Sequence, residues 1–293
     1  MNISYQKPQV IAEIGCNHKG DIGIAKELML LAKEAGADIA KFQKRNNKEL
    51  LTPEQYNAPH PNPKHSYGAT YGEHREFLEF SVAQHKELQD YAKQIGIIYS
   101  TSVWDTTSAK EMITLNPPLL KIPSACNTNF ALLEVLRDTY DGEIHISLGM
   151  STQEEITKLV AFFQERHKTH NLVLYACTSG YPISYEEVCL LEICRIYERY
   201  GHLIKAVAYS GHHLGINIDM AAFTLGARYI ERHFTKDKTW KGTDHSASLE
   251  PDELKNLVDG LNEVFASLTY KPTELLDIEI PQRKKLKFGC FGQ

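Results

Sequence analysis

The 293-residue chain carries 32 Lys and Arg against 37 Asp and Glu, a net charge of −5, and 42% hydrophobic residues. That balance disfavours a nucleic-acid binder, which needs a basic surface, and excludes a disordered chain, which has too little apolar surface to bury. No window approaches the roughly eighteen consecutive apolar residues of a membrane span, and the start, MNISYQKPQVIAEIG, has neither a charged n-region nor an apolar h-region, so the sequence reads as a cytoplasmic protein.

Along the chain, short apolar runs ending in polar residues alternate with segments of helical periodicity. The strands are expected at Gln9–Cys16, Asp38–Gln43, Ile97–Val103, Leu119–Ala125, Glu143–Met150, Leu172–Thr178, Leu203–Ser210 and Arg228–Phe234. Helical patterns lie between them, among them IAKELMLLAKEAGA, HKELQDYAKQIG, TQEEITKLVAFFQERHK and YEEVCLLEICRIYERYG, and several stop at a glycine, as helix C-termini do. PDELKNLVDGLNEVFASL closes the set. Eight βα units in under 300 residues fit a single-domain α/β fold, the (β/α)8 TIM barrel. A doubly wound dinucleotide fold is disfavoured because the first turn, GCNHKGDIG, lacks the GxGxxG spacing. The barrel is expected over residues 1–271, with a long loop at 44–72 after strand 2 that reads as a lid or substrate loop, and a C-terminal tail at 272–293. Cys16, Cys126, Cys177, Cys189, Cys194 and Cys290 form no CxxC pair, which favours reduced thiols over disulfides or structural zinc.

Catalytic groups of a barrel come from the carboxyl ends of its strands. Those ends here carry Glu13, Lys41 and Gln43, a Ser100-Thr101-Ser102 run, Lys121 and Ser124, Ser147, Thr178 and Ser179 with Tyr181 beyond, Ser210, His212 and His213, and Glu231 with His233. Barrel interiors are otherwise filled with Val, Ile and Leu, so the convergence implies a polar ligand. Two lysines with several hydroxyls suit a phosphate and a carboxylate. His212 and His233, on adjacent strands, suit a divalent cation such as manganese, cobalt or magnesium, whereas His213 is expected to face the other way. Glu13, Glu231 and Asp244 remain for acid–base work.

The runs IAEIGCNHKGD, AKFQ, LLKIPSA, ISLGMS, LYACTSGYP, YSGHHLG and IERHFTKDKTWKGTDHSASLEPDEL, between about Val10 and Pro251, resemble the sialic acid synthase family, the bacterial nonulosonate synthases. The resemblance implies a metal-dependent enzyme that condenses phosphoenolpyruvate with an N-acylated sugar aldehyde and releases phosphate. It implies Lys41, Thr101, Lys121, Ser124, Ser147, Ser179 and Ser210 against phosphoenolpyruvate, His212 and His233 on the metal, and Gln43, Tyr181 and Asp244 near the acceptor. Glu13 is then the catalytic carboxylate and Glu231 supports His233 or the acceptor.

The chain departs from the family pattern in three places. Cys126 stands where a glutamate commonly bonds acceptor hydroxyls, Ser179 stands where many members have Asn, and the sequence ends before the family's antifreeze-protein-like C-terminal domain. In the resemblance that domain gives an arginine to the neighbouring subunit of a homodimer. Either the loop at 44–72, the basic tail around Arg283–Lys287 or a separate protein is expected to complete the acceptor site, or the acceptor is bound differently. The leading expectation is an unphosphorylated acceptor, because no basic cluster is evident beyond His60, Lys64 and His65. A synthase acting on a phosphorylated aldose and a non-catalytic sugar- or phosphate-binding barrel are the rivals.

Overall fold

The computed structural model describes residues 3–289. Cys290, at the end of the tail, lies outside them. Eight strands, each buried on both faces, close into a parallel barrel in sequence order: β1 (Gln9–Gly15), β2 (Ile39–Lys44), β3 (Ile98–Val103), β4 (Leu119–Ile122), β5 (Glu143–Ser147), β6 (Leu172–Cys177), β7 (Ala206–Gly211) and β8 (Tyr229–His233). β1 pairs with both β2 and β8, which completes the ring. A principal helix follows each strand, and its apolar stripe packs on the outer face of the sheet, as Leu28, Met29, Leu88, Leu132, Leu159, Ile193, Phe223 and Leu257 do. Inside, Ile11, Ile39, Leu119, Val173, Tyr175, Ala208 and Tyr229 form a separate core layer beneath the carboxyl ends of the strands.

All eight expected strands are present, and the differences have local causes. β4 stops at Ile122, because Pro123 cannot donate to the ladder and Ser124–Cys126 turn into a 3-10 helix. The pattern YEEVCLLEICRIYERYG holds a short 3-10 turn at Glu186–Val188, then Cys189 at φ 51°, so the helix runs only over Glu192–Tyr200. Gly96, at φ 73°, ends the helix Val82–Ile95 in the left-handed conformation that glycine adopts at no cost.

The segment at 44–72 is not structureless. It contains helices Asn47–Leu50 and Pro53–Asn57 and a 3-10 turn at Pro63–His65, and it leads into a helix at Tyr71–Phe77. It lies down on the loop after β8, where the Gly242 backbone N–H donates to His65 Nδ1 (3.0 Å) and Tyr67 Oη donates to the Lys241 carbonyl. The tail forms a helix, Glu279–Leu286, tied back through Lys271 to Glu279. Among the described residues no helix is long and apolar enough to cross a membrane.

Candidate active site

The two-residue period of a strand decides which side chains reach the barrel axis. Register places Glu13 beside Lys41 and His233, Ser102 beside Lys121, and Ser210 beside both Cys177 and Glu231. These inward-facing positions form one polar layer above the apolar one. It floors a cavity of 470 Å³ at the carboxyl end, within the ordinary size of a small-molecule site.

Two buried lysines sit at the centre. Lys41 Nζ pairs with Glu13, lies 3.7 Å from Glu231 and donates to Ser102 Oγ at 2.8 Å. Lys121 Nζ pairs with Glu231, which also accepts from Ser210 Oγ (3.2 Å). Burial pushes the Glu231 carboxyl up, but Lys121 and Lys41 outweigh it and hold the group below the usual carboxylate range. Burial is also what lowers Lys121, against the pull of Glu231. Gln43 Nε2 donates to Glu13 Oε1 (2.9 Å), leaving Oε2 to the lysine.

Above the lysines the loops after β4, β5 and β6 crowd together at Gly149. A Cβ there would stand 2.6 Å from Ser179 Oγ and 2.7 Å from Ser124 Oγ, so only glycine lets the two hydroxyls converge on the backbone. Asn127 holds this loop by donating to the Ser147 carbonyl (2.9 Å) and to Ser151 Oγ (2.7 Å).

His212 and His233 lie with ring centroids 5.5 Å apart, and Tyr181 packs against His212 in a tilted contact at 4.2 Å. Thr178's carbonyl accepts from His212 Nδ1 at 2.8 Å, which leaves Nε2 with a free lone pair. Burial, with His233 beside it, holds His212 at about 3, so the ring is neutral. His233 Nδ1 is buried without a hydrogen-bond partner, 3.9 Å from Asp244 Oδ2. Two imidazoles placed in this way fit a divalent cation. Among the described residues no third His, Cys, Asp or Glu joins them as a ligand, so the remaining positions would fall to water or substrate.

Thirteen of the fifteen residues expected at the site line this one cavity: Glu13, Lys41, Gln43, Lys121, Ser124, Ser147, Ser179, Tyr181, Ser210, His212, Glu231, His233 and Asp244. Two do not. Thr101 alternates with the inward-facing Ser100 and Ser102 of β3 and so points outward, and Ser102 takes the place assigned to it. Cys126 ends the 3-10 turn and is buried off the cavity, where Pro123, Ser124 and Ala125 form the wall, and burial pushes its thiol to about 12. His213 faces out, as expected, between Tyr209 Oη (3.2 Å) and the buried Arg232–Asp219 pair.

A second group stands at the mouth: Arg45, His60 and Tyr71, which belong to the segment 44–72 read as a lid or substrate loop, and His74, Arg75 and Trp104, which lie outside it. Arg45 is engaged by Glu79 (2.5 Å) and Cys16 Sγ (2.7 Å). Arg75 lies over Trp104 and donates to Tyr71 Oη, but its Nη1 is buried without a partner. The expectation that no further basic cluster exists is therefore corrected: Arg45 and Arg75 are thirty residues apart in sequence and meet only because the helix Tyr71–Phe77 folds over the cavity. None of the described tail residues lines it.

A closed parallel barrel with a lysine-and-hydroxyl floor, paired carboxylates and two adjacent imidazoles at its carboxyl end defines a barrel that takes a small anionic substrate. Residues 28–272 match the NeuB family. The chain is 41% identical over 280 residues to the N-acetylneuraminate-9-phosphate synthase of Mus musculus, covering 94% of this chain and 76% of that protein. It is 35% identical to the N,N'-diacetyllegionaminic acid synthase of Legionella pneumophila, covering 94% and 77%. In structure it resembles the N-acetylneuraminic acid synthetase of Leptospira borgpetersenii, with a TM-score of 0.80 and 26% identity, over 97% of this chain and 93% of that one. The chain belongs to the NeuB family.

Proposed function

We propose that the chain condenses phosphoenolpyruvate with an N-acyl sugar aldehyde, forming a sialic-acid-like 3-deoxy-nonulosonate and releasing phosphate. The observation that carries this reading is the pair Lys41 and Lys121 side by side on the cavity floor, under the hydroxyls of Ser102, Ser124, Ser147, Ser179 and Ser210. Two buried ammonium groups and a ring of hydroxyl donors match the phosphate and carboxylate of one small substrate.

In this reading carbon 3 of phosphoenolpyruvate attacks the aldehyde carbon, whose oxygen takes up a proton. Water then adds to carbon 2, and the tetrahedral species expels phosphate. Glu13 lies between Lys41 and the acceptor-side Gln43, where its carboxylate stabilises positive charge at carbon 2 and orients the water. Glu231 pairs with Lys121 and lies beside Lys41 until the substrate arrives. His212 and His233 would hold a divalent cation, manganese, cobalt or magnesium, which when bound supplies Lewis acidity to the aldehyde oxygen. Tyr181, Gln43 and Asp244 border the acceptor side.

Arg75, with Arg45 behind it, favours a second reading of the acceptor: one phosphorylated at the end far from the aldehyde. Three carbons added to a hexose turn carbon 6 into carbon 9, the position named in the mouse relative. Seven charged side chains line the cavity, the basic Lys41, Arg45, Arg75 and Lys121 against the acidic Glu13, Glu231 and Asp244. Arg75 alone among the four basic ones has no carboxylate partner among the ion pairs of the described residues. Phosphate release from phosphoenolpyruvate with N-acetylmannosamine, its 6-phosphate and diacetamido-hexoses, each with manganese, tests both readings. Turnover of the 6-phosphate at least tenfold above the free sugar, lost in Arg75→Gln, supports the phosphorylated acceptor. Equal turnover of both restores the unphosphorylated one, and no turnover with any of them refutes the synthase.

A further inference from the structure

Beneath the lysines the barrel interior holds a polar chain that the proposed chemistry does not use. His145 (β5) and Tyr175 (β6) are fully buried, inside a layer otherwise filled by Ile11, Ile39, Leu119, Val173 and Ala208. Burying a histidine there costs free energy unless both ring nitrogens are satisfied, and they are. His145 Nε2 lies 3.1 Å from Glu143 Oε2, and Nδ1 lies 2.6 Å from Tyr175 Oη. Glu143 also accepts from Tyr229 Oη (2.8 Å) and pairs with Lys205 (3.0 Å) at the lower rim. Burial raises Glu143, but these bonds outweigh it and hold the group at about 2, so it is a carboxylate and can only accept. The proton of His145 therefore sits on Nε2, and Nδ1 accepts from the tyrosine.

That chain fixes the tyrosine ring, and the Lys121 ammonium lies over its face, 4.2 Å from the centroid. A phenol that donates to a buried imidazole has a more electron-rich ring, and an aromatic face attracts a desolvated cation. We propose that Tyr175, oriented by His145 and Glu143, is the positioning residue that keeps the Lys121 ammonium charged and aimed into the cavity. The groups facing Lys121 are Glu231 from β8, Lys41 from β2, Ser102 from β3, His145 from β5, and Tyr175 and Cys177 from β6. Glu231 is the carboxylate paired with Lys121 and the Tyr175 ring lies against the ammonium, and phosphoenolpyruvate competes for Lys121 with Glu231 alone. While the substrate holds the lysine from above, the ring holds it from below. The functional consequence rests on the reading that phosphoenolpyruvate binds Lys121; the effect on the lysine itself does not.

The test compares Tyr175→Leu and Tyr175→Phe with the unaltered protein by two readouts. Competitive acetylation with acetic anhydride across pH 7–11, read by peptide mass spectrometry, gives the titration midpoint of Lys121 without any substrate. Steady-state phosphate release gives kcat and KM for phosphoenolpyruvate. Loss of the ring in Tyr175→Leu lowers the Lys121 midpoint by about one pH unit, a roughly tenfold loss of proton affinity. It raises KM for phosphoenolpyruvate about tenfold with kcat within about threefold, and moves the basic limb of kcat/KM down with the midpoint. Tyr175→Phe keeps the ring and loses only its tether, and falls between. An unmoved Lys121 midpoint in Tyr175→Leu overturns the proposal, as does a fall in kcat with KM unchanged. If the leucine variant does not fold, a Phe variant with the wild-type midpoint and KM overturns it. Absence of phosphate release by the unaltered protein would refute the synthase while the labelling midpoint still decides the role of Tyr175.

Discussion

Glu13→Gln separates chemistry from binding at the lysine cluster. Glu13 accepts from Gln43 through Oε1 and faces Lys41 through Oε2. A glutamine keeps the first contact with its carbonyl oxygen and presents an N–H₂ to the lysine instead of a carboxylate. Lys41 is not stranded, because Glu231 lies 3.7 Å away and Ser102 Oγ at 2.8 Å. At an effective dielectric of ~20 that remaining pair attracts by about 4 kcal/mol before the cost of burial, so the lysine keeps a carboxylate partner. The stability loss, read from urea unfolding, should therefore stay below the roughly 3–5 kcal/mol of stranding a buried charge. Removing one negative charge from an anion site should leave phosphoenolpyruvate affinity unchanged or tighter by titration calorimetry. At saturating substrates kcat should fall about 10²- to 10⁴-fold, the range of an acid–base group. Wild-type kcat in the variant would remove Glu13 from the chemistry, and a 100-fold weaker phosphoenolpyruvate affinity with kcat intact would make it a binding residue only.

Part of the acid sensitivity should come from outside the site. His18, stacked on Phe80 at 4.1 Å, and His85, bonded to Tyr99 Oη at 2.7 Å, are both held at about 3 by burial, far below the ordinary 6.5. Their rings stay neutral in the fold and take up protons on unfolding, so this contribution is fully present above about pH 6.5 and is lost as pH falls toward 3. Between pH 6.5 and 5 each costs roughly 2 kcal/mol, and equal urea midpoints at pH 7 and 5 would contradict it. Cys126→Ser should change KM for the acceptor less than about threefold in the phosphate-release assay, since the residue lies off the cavity; a tenfold change would return it to the acceptor wall. Chelation should abolish turnover, with manganese restoring it to the wild type but not to His233→Ala; chelator-resistant turnover would remove the cation from the site.

The barrel was legible because β-strands buried on both faces read as apolar runs, and the polar ends stood out against them. The same two-residue period that places Glu13, Lys41, Lys121 and Glu231 inward also selects Ser102 over Thr101, a signal present in the sequence and not used. Cys126 was misplaced for a different reason: Pro123 ends β4 early, and a 3-10 turn rotates the wall so that Ala125 faces the cavity. Arg45 lay in the segment at 44–72 read as a substrate loop, but its meeting with Arg75 was not legible, because it depends on how that segment packs against the loop after β8. His145 lay in a strand of otherwise ordinary pattern, and only the register with β4 and β6 puts it beneath Lys121 beside Tyr175.

Condensation at carbon 3 with phosphate leaving from carbon 2 is tested most directly with phosphoenolpyruvate labelled with oxygen-18 in the bridge between carbon 2 and phosphorus. With an accepted aldose and manganese, the released phosphate should carry the label, and the product should gain three carbons and an unlabelled carbonyl at carbon 2. Label retained on pyruvate would mean that the phosphorus–oxygen bond is cleaved, and phosphate released at the same rate without aldose would mean that no condensation is coupled to it; either would make these lysines serve a hydrolase rather than a synthase.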